Sequence, residues 1–421
     1  MKHKRLIAAG VGVGVTLAGS GFLDAGYSHK WFEHDSALYT AGMHAHIART
    51  AITDMISGND AWPELPRLPA SKGDDNSTAS PSPGPDTEPT APTQKPIPKV
   101  LTYAHLSDPG IAQVVDMGTV LAAASPLPAP DAPCRKAIAR ARSSLGGLAA
   151  GSSINCWPAE QLAGGWNPQG VGGFSTAGFM INGQPASSRN VVSYSWYTTQ
   201  NLQSSLVKTG GHDRSRLTLV EDGGRSVNIE LVQRDGNALR PLPTHGGANA
   251  FAGDWLYVGS KDAIFAFPAD TIYMIGGKFM MVSDRKVSVG CKSSAFSITD
   301  GVMSAAVYKT GGKTNVCSRR LGDDGLPTGP VSHASLKARN TQGVARIGNT
   351  WLLNSSADDK MRRFNGTKLQ ESYQFPHTNI QGISVDLGRR LVHTCTEEED
   401  HSVRGRQINL LITVGLDGVL R

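Results

Sequence analysis

Aromatic and charged residues are both scarce in this sequence, at 6% and 18% of 421 residues. A bundle of amphipathic helices would need more charged residues on its exposed faces, so the composition favours a turn-rich β protein. Glycine supports this interpretation, because its 48 copies exceed the usual frequency of about 7%. The length leaves room for two folded parts and some unstructured chain.

Several motifs that carry known chemistry are also missing. The chain has no Cys-x-x-Cys pair, no Gly-x-Ser-x-Gly elbow and no Walker or Rossmann glycine pattern, which excludes zinc ribbons, thioredoxin-like chemistry and the common serine-hydrolase and nucleotide sites. Gly311-Gly-Lys-Thr314 lacks the first glycine of a phosphate loop and is interpreted as a hairpin turn. No cofactor is expected.

The net charge of +6 and the pI near 9.0 do not indicate a nucleic-acid partner, because the basic residues are scattered and no reading motif is present. A weak attraction to an anionic surface stays open.

The beginning of the chain has the layout of a signal peptide. Lys2, Lys4 and Arg5 precede an uncharged stretch from Leu6 to Leu23, as in a positive region followed by an apolar one. Residues 1–26 are therefore expected to direct export, either with cleavage after Ser20 or Ala25 or as an uncleaved membrane anchor. The membrane is expected to be contacted through this segment alone.

Residues 27–62 are expected to form a short helical segment, and 63–100 a disordered linker. Ten prolines fall between Pro63 and Pro98, interleaved with Ser, Thr, Asp and Lys, a composition that cannot bury enough apolar surface to fold. Residues 101–150 are ambiguous and partly helical, with a basic helix predicted over Ala137–Leu148. The export segment and the linker together predict a secreted protein, or one tethered to the outer face of the cytoplasmic membrane.

The five cysteines are expected in an oxidising compartment if the chain is exported. Pairing of nearest neighbours predicts disulfides Cys134–Cys156 and Cys291–Cys317 and leaves Cys395 single. Spacing alone does not fix this connectivity.

A degenerate repeat follows residue 150. When Gly247, Gly343 and Gly382 are aligned, Trp255, Trp351 and Arg390 each stand eight residues later, and a leucine follows in every case. A further copy opens as Asn167-Pro-Gln-Gly170 and reaches its second strand at Val191 after an insertion, and another, near Ser294, keeps the spacing without the polar residue. The starts at 247, 294, 343 and 382 are 47, 49 and 39 residues apart, the length of one propeller blade. Residues 151–421 are therefore predicted to form an all-β propeller of about five, possibly six, blades; a β-sandwich is the alternative.

The motifs Trp166-Asn-Pro-Gln-Gly, Thr244-His-Gly-Gly, Gln342-Gly-Val and Gln381-Gly-Ile resemble those of uncharacterised exported actinobacterial proteins with a β-propeller-like fold. The resemblance covers about residues 151–421. It implies the fold and export and carries no established activity, and the proline tether and the N-terminal helical part depart from the usual pattern.

In a propeller, the residues that enter the innermost strands converge on one mouth of the central channel. The repeated position is occupied by amide, imidazole and hydroxyl groups, predicted to be ligand-binding: Gln169, His245, Ser293, Gln342 and Gln381. The alternative is that each side chain only satisfies backbone groups of the neighbouring blade.

Three functions remain open at this point. The first is a binding module for a small molecule, a wall polymer or a protein at the mouth. The second is a lactonase-like hydrolase or lyase in which His245 is the catalytic acid or base, since its imidazole ionises near physiological pH. The third is a structural module that uses rim loops. No metal site is predicted, because the repeated position holds no carboxylate, and the run Glu397–Asp400 is predicted to be an exposed loop.

Overall fold

The computed structural model describes eleven parts of the chain, all within the second of two compact units, Pro89–Arg421. They are residues 95–157, 166–198, 206–207, 214–221, 224–242, 244, 247–259, 263–283, 285–375, 379–400 and 406–421. The predicted export segment, helical segment and most of the linker lie outside these residues, and the domain boundaries drawn from the sequence stay predictions.

The N-terminal part of the described chain is a series of short elements that lie against the sheets. After a 3-10 turn at Tyr103–Ser107, these elements are β1 (Gln113–Val115), α1 (Met117–Ala122), β2 (Ser125–Pro126), α2 (Ala132–Leu145), a 3-10 turn at Gly146–Ala149 and β3 (Ser153–Trp157).

Helix α2 begins five residues before the predicted basic helix. The carboxylate of Asp131 accepts the backbone N–H of Cys134 at 2.9 Å and caps the first turn, where a proline is well tolerated. The helix ends at Gly146, whose φ of 52° suits glycine. Its buried residues Cys134, Ala137, Ala141 and Leu145 form one face, as a helical period requires.

Sheets 1 and 2 follow α2 and β3 in the chain. Sheet 1 contains β4 (Asn167–Gly173), β7 (Val191–Thr198), β8 (Arg214–Glu221) and β9 (Arg225–Asp235), with an added strand β10 (Ala238–Pro241). Strands β5 (Met180–Ile181) and β6 (Gln184–Pro185) form a separate two-stranded hairpin. Short 3-10 turns lie at Phe174–Thr176 and Ala186–Ser188. Sheet 2 contains β11 (Asn249–Ala252), β12 (Trp255–Gly259), β13 (Ile264–Pro268) and β16 (Arg285–Val287). Between β13 and β16, the hairpin of β14 (Ile272–Ile275) and β15 (Lys278–Ser283) leaves sheet 2, and β15 pairs parallel with β9 of sheet 1.

Three further sheets complete the described chain. Sheet 3 contains β17 (Ala295–Thr299), β18 (Val302–Ala306), β19 (Thr314–Leu321) and β20 (Pro327–Leu336), and sheet 4 contains β21 (Thr341–Ile347), β22 (Thr350–Ser355), β23 (Lys360–Asn365) and β24 (Lys368–Gln374). Sheet 5 contains β25 (Ile380–Asp386), β26 (Leu391–Thr396), β27 (Glu398–Asp400) and β28 (Arg406–Gly415), and α3 (Leu416–Leu420) follows it. Gly311-Gly-Lys-Thr314 lies where β18 connects to β19, as the hairpin interpretation expects.

In sheets 2, 3 and 4, burial decreases from the first strand to the last. Every residue of β11, β17 and β25 is buried, whereas β20 and β24 are mostly exposed. Strands covered on both faces need small or apolar residues throughout, which explains why alternation is weak in the repeated motifs. The first strands therefore lie at the centre of the molecule and the last ones at its rim.

The apolar core is divided into layers between consecutive sheets. Leu217 of sheet 1 and Phe267 of sheet 2 share one cluster, and Phe296 of sheet 3 shares another with Tyr257 of sheet 2. Clusters with the same organisation lie between sheets 3 and 4, between sheets 4 and 5, and between sheets 5 and 1. Because each sheet buries both faces against its neighbours, the architecture is propeller-like and all-β, as the repeat predicts.

Sheet 5 includes one strand, β3, that precedes the strands β4 to β9 of sheet 1 in the sequence. Strand β3 pairs antiparallel with β28, from Ser153 opposite Thr413 to Trp157 opposite Asn409. The disulfide Cys134–Cys156 joins β3 to α2, and Cys291–Cys317 joins sheet 3 to the segment before it. Both pairings were predicted, Cys395 is free and buried, and disulfides are typical of an oxidising compartment.

No helix among the described residues is long and apolar enough to cross a bilayer.

Candidate ligand-binding mouth

The polar residue of the repeat is a bulged residue in three innermost strands. The pairing register shifts at Gln169 in β4, at Gln342 in β21 and over Gln381-Gly382 in β25. A β-bulge leaves its extra residue out of the ladder and redirects the side chain. The three glutamines therefore occupy equivalent positions at the starts of these strands. The end of the propeller-like arrangement at which these innermost strands start, marked by Gln169, Gln342 and Gln381, is called the mouth.

The glycine after each polar residue is required by close backbone contact with the next sheet. A Cβ at Gly170 would lie 2.5 Å from Cα of Ala248, and one at Gly382 would lie 2.8 Å from the backbone nitrogen of Val171. Gly343 meets the backbone of Gln381 and Ile383 in the same way, and Gly247 meets that of Ser294. Contacts this short leave no room for a side chain, so packing between the innermost strands explains the repeated glycine.

Two of the predicted glutamines converge on one carboxylate. Gln169 in sheet 1 donates its Nε2–H to Oε2 of Glu397 at 2.8 Å, and Gln381 in sheet 5 donates to the same oxygen at 3.3 Å. Gln169 and Gln381 are 8% and 2% exposed, while Glu397 is partly exposed. The carboxylate is thus fixed by donors that lie 212 positions apart in the sequence.

The run Glu397–Asp400 was expected to be an exposed loop between strands, whereas Glu398–Asp400 form β27 and Glu397, in the link before it, is only partly exposed. The residue lies directly after β26, and its backbone N–H donates to the carbonyl of Asn379, the residue before β25, at 3.2 Å. In sheet 4, Ser356 makes the same bond to Asn340 at 3.1 Å. Glu397 could therefore have been found in the sequence from its position one residue after the second strand of a repeat. It was missed because it begins a run of acidic residues.

Buried polar groups support the bulges from the second strands. Asn354 of β22 donates its Nδ2–H to the carbonyl of Gln381 at 2.5 Å and to Oγ1 of Thr394 at 2.8 Å. Thr394 in turn donates to the carbonyl of Gly382 at 2.7 Å. These bonds satisfy backbone oxygens that the bulge removes from the ladder. They hold the backbone of Gln381 in place, and with it the side chain that donates to Glu397.

The other predicted residues have different surroundings. Gln342 is partly exposed, and its amide has no hydrogen-bond partner among the described residues. Ser293 is 4% exposed and lies two residues before β17. His245 lies outside the described residues, so its place at the mouth stays a prediction.

The surroundings of Glu397 are poorly hydrated on the side of sheet 5. Burial, with the negative charge of Glu397, raises the pKa of the Cys395 thiol far above its usual range. Burial also raises the pKa of Tyr194, which packs in the same cluster between sheets 5 and 1. The carboxylate consequently lies at the edge of a buried apolar cluster, where hydrogen bonds to a charged group are strong.

No group of three or more His, Cys, Asp or Glu side chains that could hold a metal ion is found in the described part of the chain.

Comparison with known proteins adds no family to this description. No family model matches the chain, and no curated protein matches it. Among solved structures, a nidogen/laminin complex has a TM-score of 0.30 and 10% identity over 54% of this chain and 72% of that chain. Glutaminyl cyclase of Myxococcus xanthus has 0.29 and 10% over 63% and 97%, and Hsv2 of Kluyveromyces lactis has 0.26 and 14% over 50% and 67%. Scores of this size carry no inference, so the fold description rests on the strand pairing and the core.

Proposed function

We propose that this chain is an exported five-bladed propeller of the actinobacterial group that its motifs resemble, and that it binds a ligand at the mouth. The blade count is supported by the five apolar clusters and by Gly382, whose contact with Val171 joins the last sheet to the first. The two disulfides support a destination outside the cytoplasm.

The binding site is the carboxylate of Glu397 with the side chains around it. Gln169 and Gln381 direct their N–H groups at Glu397 and are themselves buried, so the partly exposed carboxylate of Glu397 is the group that a ligand reaches first. Carbonyl and carboxylate oxygens are acceptors, so the site favours a ligand with ammonium or hydroxyl donors. An amino sugar of a wall polymer has this chemistry. Gln342, Ser293 and His245 extend the same ring.

Binding of glucosamine to the full chain tests this proposal, with N-acetylglucosamine as the neutral analogue. We expect glucosamine to bind more tightly, and Glu397→Gln to weaken it by about tenfold, the effect of losing a charged hydrogen-bond acceptor. Glu371→Gln, on the exposed strand β24, is the matched control and should change nothing. Equal affinity of the two sugars, or equal behaviour of the two variants, contradicts the proposal.

The role of His245 requires its own variant. His245→Ala should weaken glucosamine binding if the imidazole belongs to the ring. If the affinity is unchanged while Glu397→Gln reduces it, the site contains Glu397 without His245.

Export is tested by the mass of the protein released from cells. A mature chain beginning at Gly21 or Gly26 shows cleavage, and an intact chain recovered with the membrane shows anchoring. Full-length protein found only in the cytoplasm contradicts export.

A further inference from the structure

Four basic side chains that are spread along the sequence come together at the mouth end of sheets 3 and 4. Lys309 and Lys313 lie in the connection from β18 to β19, and Lys337 and Arg339 lie in the connection from β20 to β21. Because neighbouring strands of these sheets are antiparallel, both connections lie at the end where β17 and β21 begin. All four side chains are exposed. The four residues are called the basic patch.

The two connections are fixed to each other and to sheet 4. The backbone N–H of Asn340 donates to the carbonyl of Lys309 at 2.7 Å, and the hydroxyl of Ser355 donates to the carbonyl of Arg339 at 2.8 Å. These bonds use only backbone atoms of the two basic residues. They therefore hold Lys309 and Arg339 close together and leave both charged groups in solvent.

Lys313 and Lys337 are a second pair of neighbouring cations. They flank Thr314 and Leu336, the last paired residues of β19 and β20 at this end. Like charges on adjacent strands repel each other. None of the four basic side chains has a hydrogen-bond or ion-pair partner in the described part of the chain, so the repulsion is not relieved by a neighbouring carboxylate.

The acidic residues of sheet 3 lie at its opposite end. Asp300 is in the turn between β17 and β18, and Asp323 and Asp324 are in the turn between β19 and β20. Strand β19 has eight residues and is therefore about 25 Å long, whereas the Debye length at physiological salt is about 8 Å. These carboxylates consequently do not neutralise the basic patch.

Sheet 4 does not neutralise the patch either. Its connection from β22 to β23 carries Asp358 and Asp359, and Lys360 and Arg362 follow in β23. The carboxylate of Asp358 forms an ion pair with the guanidinium of Arg362. The two negative and two positive charges of this segment cancel, so the end of sheets 3 and 4 keeps the positive charge of the patch.

Exposed apolar side chains are scarce around the patch. Among the described residues only one of the exposed large apolar side chains, Tyr308 at 41%, adjoins it. A protein that binds a bilayer surface buries several apolar side chains between the lipid headgroups. The patch is therefore suited to a hydrated polymer, and the ring of Tyr308 offers an apolar face against which a sugar ring can pack.

From these charges we propose that the basic patch binds an acidic polysaccharide, a linear polymer of sugars that carry carboxylate or sulfate groups. Successive anionic groups of one polymer lie against the two pairs of cations and remove the repulsion within each pair. The patch is separate from Glu397, which is held between sheets 5 and 1, and the two sites act independently.

Binding of polygalacturonate and of dextran sulfate to the full chain tests the proposal. Neutral dextran and vesicles of phosphatidylcholine with one part in four phosphatidylglycerol are the comparisons, and biolayer interferometry at several salt concentrations gives the affinities. We expect at least one acidic polymer to bind, more weakly as the salt concentration rises, because salt screens exposed charges. Tighter binding of polygalacturonate assigns the patch to carboxylates, and tighter binding of dextran sulfate assigns it to sulfates. Equal binding of neutral dextran, tighter binding of the vesicles, or binding of neither acidic polymer overturns the proposal.

Two double variants that remove the same charge from the two ends of sheets 3 and 4 locate the contact. Lys309→Ala, Arg339→Ala should weaken polymer binding by about five- to tenfold, as expected for two exposed charge contacts. The slope of log Kd against log salt concentration should fall by about 1.5, because each cation contact contributes about 0.7–0.9 to this slope in nucleic-acid complexes.

Arg320→Ala, Lys368→Ala is the matched control. Both residues are exposed, Arg320 pairs with the first residue of β18, and Lys368 begins β24, so both lie at the end opposite the patch. This variant should leave the affinity and the slope unchanged. Equal losses in the two double variants would show attraction by net charge alone and overturn the proposal, as would an unchanged affinity of Lys309→Ala, Arg339→Ala.

Discussion

Replacement of Gly382 by alanine tests the closed ring of sheets most directly. The added Cβ would lie 2.8 Å from the backbone nitrogen of Val171 and 3.1 Å from Cα of Gly170, both in sheet 1. Ordinary contacts begin near 3.4 Å, so the first distance is short by 0.6 Å. The atoms in the way belong to a strand paired on its other side, and no side-chain rotation can remove them.

The expected cost follows from forcing two packed strands apart. Overpacking of a rigid interior costs about 1–3 kcal/mol, and the backbone contact places Gly382→Ala at the upper end of this range. A loss of about 2–3 kcal/mol corresponds to a Tm lower by roughly 4–10 °C for a domain of this size. The denaturant midpoint should fall without a change of slope.

Gly312→Ala is the matched control, because nothing lies within 4 Å of its Cβ position and its φ is not positive. This variant should have wild-type stability or gain a few tenths of a kcal/mol from the restricted unfolded chain. Equal stability of the two variants would refute the close contact between sheets 5 and 1, and with it the ring.

Three more predictions concern the buried titratable and sulfur groups. Cys134→Ser should lower the free energy of unfolding by about 3 kcal/mol, the value for a loop of some 20 residues. Adding dithiothreitol to the wild type breaks both disulfides and should lower its Tm by more than Cys134→Ser does, whereas it should not change the Tm of a Cys134→Ser, Cys291→Ser double variant. Cys395 should not react with Ellman's reagent in the native protein, because its thiol is buried and its pKa is raised, and one thiol per chain should appear in denaturant without reductant; two or more would contradict the disulfides. Burial lowers the pKa of His393 to about 4 despite the nearby carboxylate of Asp386. Below pH 6.5 the unfolded chain therefore binds a proton that the folded chain excludes. The free energy of unfolding should consequently fall by about 1.4 kcal/mol for each pH unit as the pH is lowered from 6.5 to 4. His393→Gln should reduce this slope in denaturation curves and the exposed His333→Gln should not, and a slope equal in both variants would contradict the burial of His393.

The repeat could be recognised from the sequence because the residues that define it lie close together in the chain. Gly343 and Gly382 stand where the innermost strands of neighbouring sheets meet and leave no room for a side chain, and Trp351 lies in the second strand at a fixed distance after Gly343. The strands, the turn and the spacing all lie within one repeat length, so they can be recognised in the sequence alone. The same holds for the two disulfides, whose partners are close in the chain.

The parts that were missed depend on contacts between distant segments. Nothing local shows that Glu397 meets Gln169, 228 positions away. The pairing of β15 with β9 of sheet 1 could not be predicted from the sequence either. The apolar residues of a strand show that it is buried, but not which strand lies next to it. A cavity lined by Trp166, Arg216 and Lys278 was missed for this reason, since its lining comes from five separate stretches of chain.

The pairing of β3 with β28 makes completion of the structure depend on a strand that lies far along the chain, since Ser153 pairs opposite Thr413. A fragment that ends before Arg406 contains β3 without its partner, so the edge of β3 stays open to other chains. The disulfide between Cys134 and Cys156 can form before β28 has folded, but β3 then has no partner strand. Proteolytic loss of Arg406–Gly415 should therefore unfold more than one sheet, because sheets 1 and 4 each bury a face against sheet 5.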